Sequence, residues 1–302
     1  MSRPKPAWWR PSLVLYDTLI APFIEFEFMR RALAGTLALA IGAGPIGVFL
    51  MLRRMSLVGD AMAHAILPGA AIGFLISGLN LFAMAAGGLV AGFVVALAAG
   101  LIARATELKE DASLAAFFLI SLAVGVTIVS IKGNNIDLLH FLFCTVLALD
   151  NQTLVLIAGN ATVTLVGLAL IYRPLLLECV DPGFLRSVSH AGAPAHIAFL
   201  ALVVINLVSG FHALGTLLAV GMMMLPAATA RFWARDITAM ILIATACGAL
   251  SGYAGLLLSV HTSAPSGPAV ILVAGGLYAL SVLFGRVGGL VHQIFPGRHL
   301  EA

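Results

Sequence analysis

The sequence predicts an all-α, polytopic membrane protein with eight transmembrane helices, or nine if one broken helix is counted. Three observations carry this. Of the 302 residues, 61% are hydrophobic and 10% charged, and the mean hydropathy is +1.09. Ordinary globular chains are about 45–50% apolar and about 25% charged. Apolar runs of spanning length recur along the chain. The basic residues gather in alternate connections, the pattern that orients membrane helices.

Residues 1–31 form a mixed N-terminal segment. Trp8, Trp9 and Tyr16 suit an interface, and SLVLYDTLIAPFIEFEF is broken by Asp17, Pro22, Glu25 and Glu27. That pattern predicts an amphipathic stretch on the membrane surface. A basic start without a short apolar run and small-residue cleavage site argues against a cleavable signal peptide.

The membrane domain is expected over 32–285, followed by a tail at 286–302. Its runs are about 33–51, 58–77, 80–103, 112–131, 153–172, 237–258 and 268–285. Between 195 and 230 the pattern is less regular. HIAFLALVVINLVSG can cross and LGTLLAVGMMMLPAATA can return, with Gly210, Gly215, Gly221 and Pro226 as interruptions. A broken or re-entrant pair is expected there, tolerated only under cover of protein or a cavity. Residues 137–149 are too short to span and read as interfacial. Gly- and Ala-rich stretches such as 32–44 and 85–92 are packing devices between membrane helices.

With the 52–57 loop cytoplasmic, Arg53, Arg54, Arg104, Lys109, Arg173, Arg186, Arg231, Arg235, Arg286 and Arg298 all lie inside. Lys132 alone is basic in the later outer loops, and the basic N-terminal segment is the exception. The net charge of +3 is spread over loops, which speaks for orientation rather than nucleic-acid binding. Cys144, Cys179 and Cys247 are far apart and read as packing residues.

The chemistry concentrates in MSLVGDAMAHAILPG, residues 55–69. Asp60 and His64 stand four apart, on one helix face one turn from each other. Pro68 has no N–H for the carbonyl of His64, so a kink and a loosened oxygen are expected. A carboxylate, an imidazole and a free carbonyl can meet a divalent cation. A charge near the bilayer centre costs about 2.5–3.5 kcal/mol on insertion scales, so it needs a partner or a pathway. The alternative is a structural carboxylate and a satisfied histidine. His212, which begins the broken helix, and His140, with Asp137 in the outer segment, are further metal candidates. His261 reads as solvated, and the run Met222, Met223, Met224 as packing.

The longest cytoplasmic connection is 173–192. Asp181 suits an N-cap and Pro182 a first helical residue, giving a short helix over 182–189. Phe184, Leu185 and Val188 can press into a partner's groove; an ordinary solvated loop is the alternative. Glu178 and Arg186 flank it as candidate pairs for that partner.

These blocks together resemble the ABC-3 permease family, the membrane subunits of bacterial zinc, manganese and iron ABC importers. The 55–69 stretch resembles its signature. LLHFLFCTVLALD, DPGFLRS, ALGTLLAVGMMMLPAATARF and PSGPAVILVAGGLYALSVLF resemble four further family blocks, in order. Cys144 departs from the glycine usual in the family. The resemblance implies an ABC importer permease fold in the inner membrane, working as a homodimer. It implies a cytoplasmic ATPase dimer, and a periplasmic or surface metal-binding protein that delivers the ion. Asp60 and His64 map onto metal ligands, and 181–188, with Asp181, Pro182, Phe184, Leu185 and Arg186, onto the segment that docks on the ATPase. No permanently bound cofactor is implied; the divalent cation is cargo, with zinc ahead of manganese and iron last. The chain has no G-x-x-x-x-G-K-[ST] loop, H-E-x-x-H or G-x-S-x-G motif, so it is read as a transport subunit rather than an enzyme. A proton-coupled secondary carrier using the same Asp and His is the competing function.

Overall fold

A computed structural model describes residues 16, 18–55, 57–78, 80–107, 110–131, 149–180, 184–185, 189 and 191–291. Eleven helices are described: α1 (Ala21–Glu25), α2 (Glu27–Leu52), α3 (Val58–Ala65), α4 (Leu67–Ser77), α5 (Leu81–Ala105), α6 (Glu110–Ile131), α7 (Asn151–Val180), α8 (Gly192–Leu214), α9 (Thr216–Arg231), α10 (Ile237–Thr262) and α11 (Ser266–Phe284). Among the described residues seven helical stretches are long and apolar enough to cross a membrane, with α3 and α4 counted as one. Two shorter apolar helices, Ala112–Ile128 and Thr216–Arg231, complete the nine runs read from the sequence.

Polar side chains mark several starts. Asn80 accepts hydrogen bonds from the N–H groups of Phe82 and Ala83, at 3.0 and 3.3 Å. Asp236 accepts from Ala239 N–H at 3.0 Å and Asp150 from Thr153 N–H at 2.9 Å. Hydrogen bonds from Thr153, side chain first and then backbone, hold the Asp150 carboxyl below the usual carboxylate range.

The bundle is organised around α2, which packs against α7, α9 and α10. Lipid is as apolar as leucine, so burial alone does not draw membrane helices together; close approach does. A Cβ on Gly47 would overlap the Met223 carbonyl of α9, and one on Gly252 would press on Thr36 of α2. A second close pair, Gly69 and Gly87, brings α4 and α5 backbone to backbone.

The structure revises several expectations. The first spanning helix begins at Glu27, before the expected boundary at 32. Ahead of it, Phe23 stacks on Tyr253 at 5.1 Å between ring centroids, and Tyr253 donates to the Leu19 carbonyl at 2.9 Å. The N-terminal segment is thereby fastened to α10, with Leu19, Ile20, Ile24 and Phe26 left exposed. α7 continues through Pro174 to Val180, where a loop was expected from 173. Fully buried Leu175 anchors that extra length, so packing overrides the proline. In the 195–230 region only Gly215 interrupts, with φ 85° and ψ 160°. A side chain with a Cβ rarely takes that conformation, so glycine is required. Gly210 and Gly221 lie inside helices, and Pro226 does not break α9, which runs on to Arg231. Pro226 is buried within the bundle, where neighbouring helices hold the turn in place. Residues 137–148 of the expected interfacial segment, with Cys144, lie outside the described residues. At the other end Val287 N–H donates to the Phe232 carbonyl at 2.8 Å, so the start of the tail rests on the α9–α10 turn.

The glycine contacts are testable by thermal melting in detergent. Gly87→Val is expected to lower stability by about 1–3 kcal/mol through overpacking. Gly275→Ala, where an added Cβ meets nothing within 4 Å, is expected to be neutral or to gain up to about 1 kcal/mol from helix propensity.

Candidate functional site

The site is set by how α2 ends. Arg54 N–H donates to the Met51 carbonyl at 3.2 Å and Met55 N–H to the Leu50 carbonyl at 2.9 Å. Arg54 has φ 60°. This is a Schellman cap with arginine in the left-handed position usually given to glycine. Met55 is buried beside it, so the chain leaves α2 in a fixed direction and enters α3 three residues later.

On α3, His64 Nε2 lies 3.9 Å from Asp60 Oδ1. That is too long for a hydrogen bond. Two donors each roughly 2.1 Å from one cation lie at most about 4.2 Å apart, so the pair fits a shared ion with little movement. The two side chains differ in setting. Asp60 is 65% exposed on the surface of this chain and His64 23%. The imidazole stands edge-on to Phe118 of α6, 4.9 Å between centroids and 70° between planes. Its Nδ1 is buried with no hydrogen-bond partner in the chain. The ring is therefore steered by an aromatic wall, with Nε2 on the side of the carboxylate.

Below the pair, a Cβ on Gly59 would press on the methyl ends of Met223 and Met224. Met222 and Met223 are fully buried, in keeping with a packing role. The helix breaks at Ile66, between the pair and Pro68. Asp60 and His64 stand third and seventh of the twenty residues of the Val58–Ser77 span, both in the half on the side of the 52–57 loop.

No group of three or more His, Cys, Asp or Glu side chains suited to a metal is found among the described residues. His212 lies in the last turn of α8, thirteen residues beyond Phe199, whose ring is near Arg53. That is roughly 20 Å along the helix, so its backbone stands toward the far end of α8 from the 52–57 loop. His261 lies in the last turn of α10, its Nδ1 2.8 Å from the Leu257 carbonyl. His140 and Asp137 lie outside the described residues.

Of the 181–188 segment, Phe184 and Leu185 are described. Phe184 is 54% exposed and Leu185 4%. Leu185 is packed where a Cβ on Gly192 would fall, so it faces its own chain rather than a partner's groove. Glu178 is also turned inward: its Oε1 lies 3.3 Å from Arg53 Nη2. Asp181, Pro182, Arg186 and Val188 lie outside the described residues. Sequence reasoning missed Phe118 and the Arg53–Glu178 pair. Phe118 has no local signal, because its role depends on α6 meeting α3.

The ABC 3 transport family matches residues 25–285. A manganese transport system membrane protein of Halalkalibacterium halodurans is 31% identical over 92% of this chain and 94% of its own length. A manganese import system permease protein of Streptococcus parasanguinis is 32% identical over 87% of this chain and 94% of its own. Among solved structures, PsaBC from Streptococcus pneumoniae in complex with Fab superposes with a TM-score of 0.80 at 26% identity. It covers 91% of this chain and 98% of that one. The apolar spans, the pair on the broken helix and the full-length similarity converge: the chain is a multi-pass bacterial membrane protein and belongs to the ABC 3 transport family.

Proposed function

We propose that the chain is the permease subunit of an ATP-driven importer of divalent metal, with manganese as cargo ahead of zinc and iron. The observation that carries this reading is the Asp60/His64 pair, spaced for one cation and open on the surface of a membrane helix. A carboxylate exposed to lipid is costly, so its face needs a second copy of the chain or a water-lined path. A homodimer with the pathway between or beside the copies meets that need. The remaining ligands come from water, backbone carbonyls or the second copy.

Manganese accepts carboxylate, carbonyl and water oxygens with imidazole, and the relatives named for manganese support moving it ahead of zinc. Two ligands from one chain hold the ion loosely enough to release it, which transport requires. ATP hydrolysis by a separate ATPase dimer moves the segment around Phe184. Alternating access then carries the ion past the pair to the cytoplasm, after delivery by an outer metal-binding protein. Exposed Phe184 is the anchor offered to the ATPase, and buried Leu185 ties that anchor to the permease.

Elemental analysis of cells expressing the whole transporter tests this. Asp60→Ala and His64→Ala, present at wild-type membrane levels, are each expected to reduce accumulation of one metal, manganese, by about 10–100-fold. Unchanged accumulation would make the pair structural, and uptake that persists without the ATPase would favour the proton-coupled carrier. Phe118→Ala is expected to leave the fold intact but weaken manganese binding by about tenfold, read by titration of purified transporter, because the imidazole loses its wall.

A further inference from the structure

Arg53 and Glu178 join the two parts of the chain that transport must connect. Glu178 is in the last turn of α7, three residues before the 181–188 segment. Arg53 caps α2, seven residues before Asp60. Their side chains are 11% and 17% exposed, so the pair is largely withdrawn from solvent. Arg53 Cζ lies 5.6 Å from the centre of the Phe199 ring of α8. Phe199 meets Phe49 of α2, and Phe49 meets Tyr172 of α7. Three helices thus share one aromatic floor with an ion pair above it.

A glutamate at a helix C-terminus opposes the helix dipole, so its place there depends on the arginine. The pair is held through one contact. Arg53 Nη1 and Glu178 Oε2 are buried and have no hydrogen-bond partner in the chain. Arginine and carboxylate favour a two-bond fork, so a spare donor and a spare acceptor leave a second seating of the same pair available. The Schellman cap ties Arg54 and Met55 to the end of α2, three residues before α3 begins, so a shift of Arg53 is passed toward α3.

We propose that Arg53 and Glu178 are positioning residues that transmit movement of the Phe184–Leu185 segment to the Asp60/His64 helix. The inference rests on the ATP-driven reading above. Its path runs from Leu185, packed at Gly192 where α8 begins, along α8 to Phe199, from that ring to Arg53 as Glu178 holds it, and through the cap of α2 into α3.

The test is manganese moved per ATP hydrolysed, in the full transporter with its ATPase reconstituted in liposomes. Glu178→Gln and the apolar double variant Arg53→Met/Glu178→Met are expected to lower that ratio by about tenfold. The charge-reversed pair Arg53→Glu/Glu178→Arg is expected to recover to within about threefold of wild type, since it restores the ion pair and only moves the carboxylate's dipole cost from the C-terminus of α7 to that of α2. A merely structural pair would change yield and melting temperature without changing the ratio in assembled protein. A wild-type ratio in the apolar double variant, or no recovery in the reversed pair, overturns the inference. Should the neutral variants fail to assemble, Arg53→Lys carries the test. It keeps the charge and loses the fork, and a wild-type ratio there overturns the inference as well. If wild-type transporter moves manganese without ATP hydrolysis, the importer reading falls and takes the inference with it. Failure of the inference alone leaves wild-type ATP-driven uptake intact.

Discussion

Close approach of backbones along α2 is the constraint on which the rest of the structure depends. In lipid the usual drive to bury apolar surface is lost, and helix association relies on contact that small residues permit. Gly47 lets α9 come against α2 at the Met223 carbonyl, and Met223 and Met224 then reach Gly59, next to Asp60. The Asp60/His64 pair therefore sits on a floor whose height is set by a glycine on another helix. The Gly69–Gly87 approach performs the same service for α4. It holds the far side of the break at Ile66 while the short α3 segment keeps its own direction.

This arrangement places one exposed and one sheltered side chain, Asp60 and His64, on adjacent turns. His64 is oriented by Phe118 and half hidden, whereas Asp60 opens outward. A lone carboxylate at the centre of a membrane helix costs about 2.5–3.5 kcal/mol, and less near the end of a span, where Asp60 stands. That cost is tolerable where water, a cation or another protein surface meets the charge. An open carboxylate beside a fixed imidazole is thus what the proposed transport site asks for, two donors that an ion can reach and leave.

Much of this was legible in the sequence, for physical reasons that differ by element. The spanning helices follow from runs of apolar residues that nothing else explains. Asp60 and His64 stand out because ionisable residues are rare in such runs and their spacing fixes a common face. Gly215 was readable as an interruption, but Gly210, Gly221 and Pro226 were not separable from it, since only tertiary packing decides which breaker breaks. The end of α7 was misplaced because Pro174 signals a stop locally, while Leu175 finds a buried seat. Phe118, Leu185 and the Arg53–Glu178 pair were invisible as a set. Each acquires its role from a helix distant in sequence.

The central claim is that His64 and Asp60 together hold the transported ion. Pulsed electron paramagnetic resonance of manganese bound to the purified transporter, with histidine nitrogens isotopically labelled, tests it most directly. The account predicts an imidazole nitrogen coupled to the manganese that disappears in His64→Ala. Bound manganese without nitrogen coupling, or coupling that survives the substitution, would contradict it.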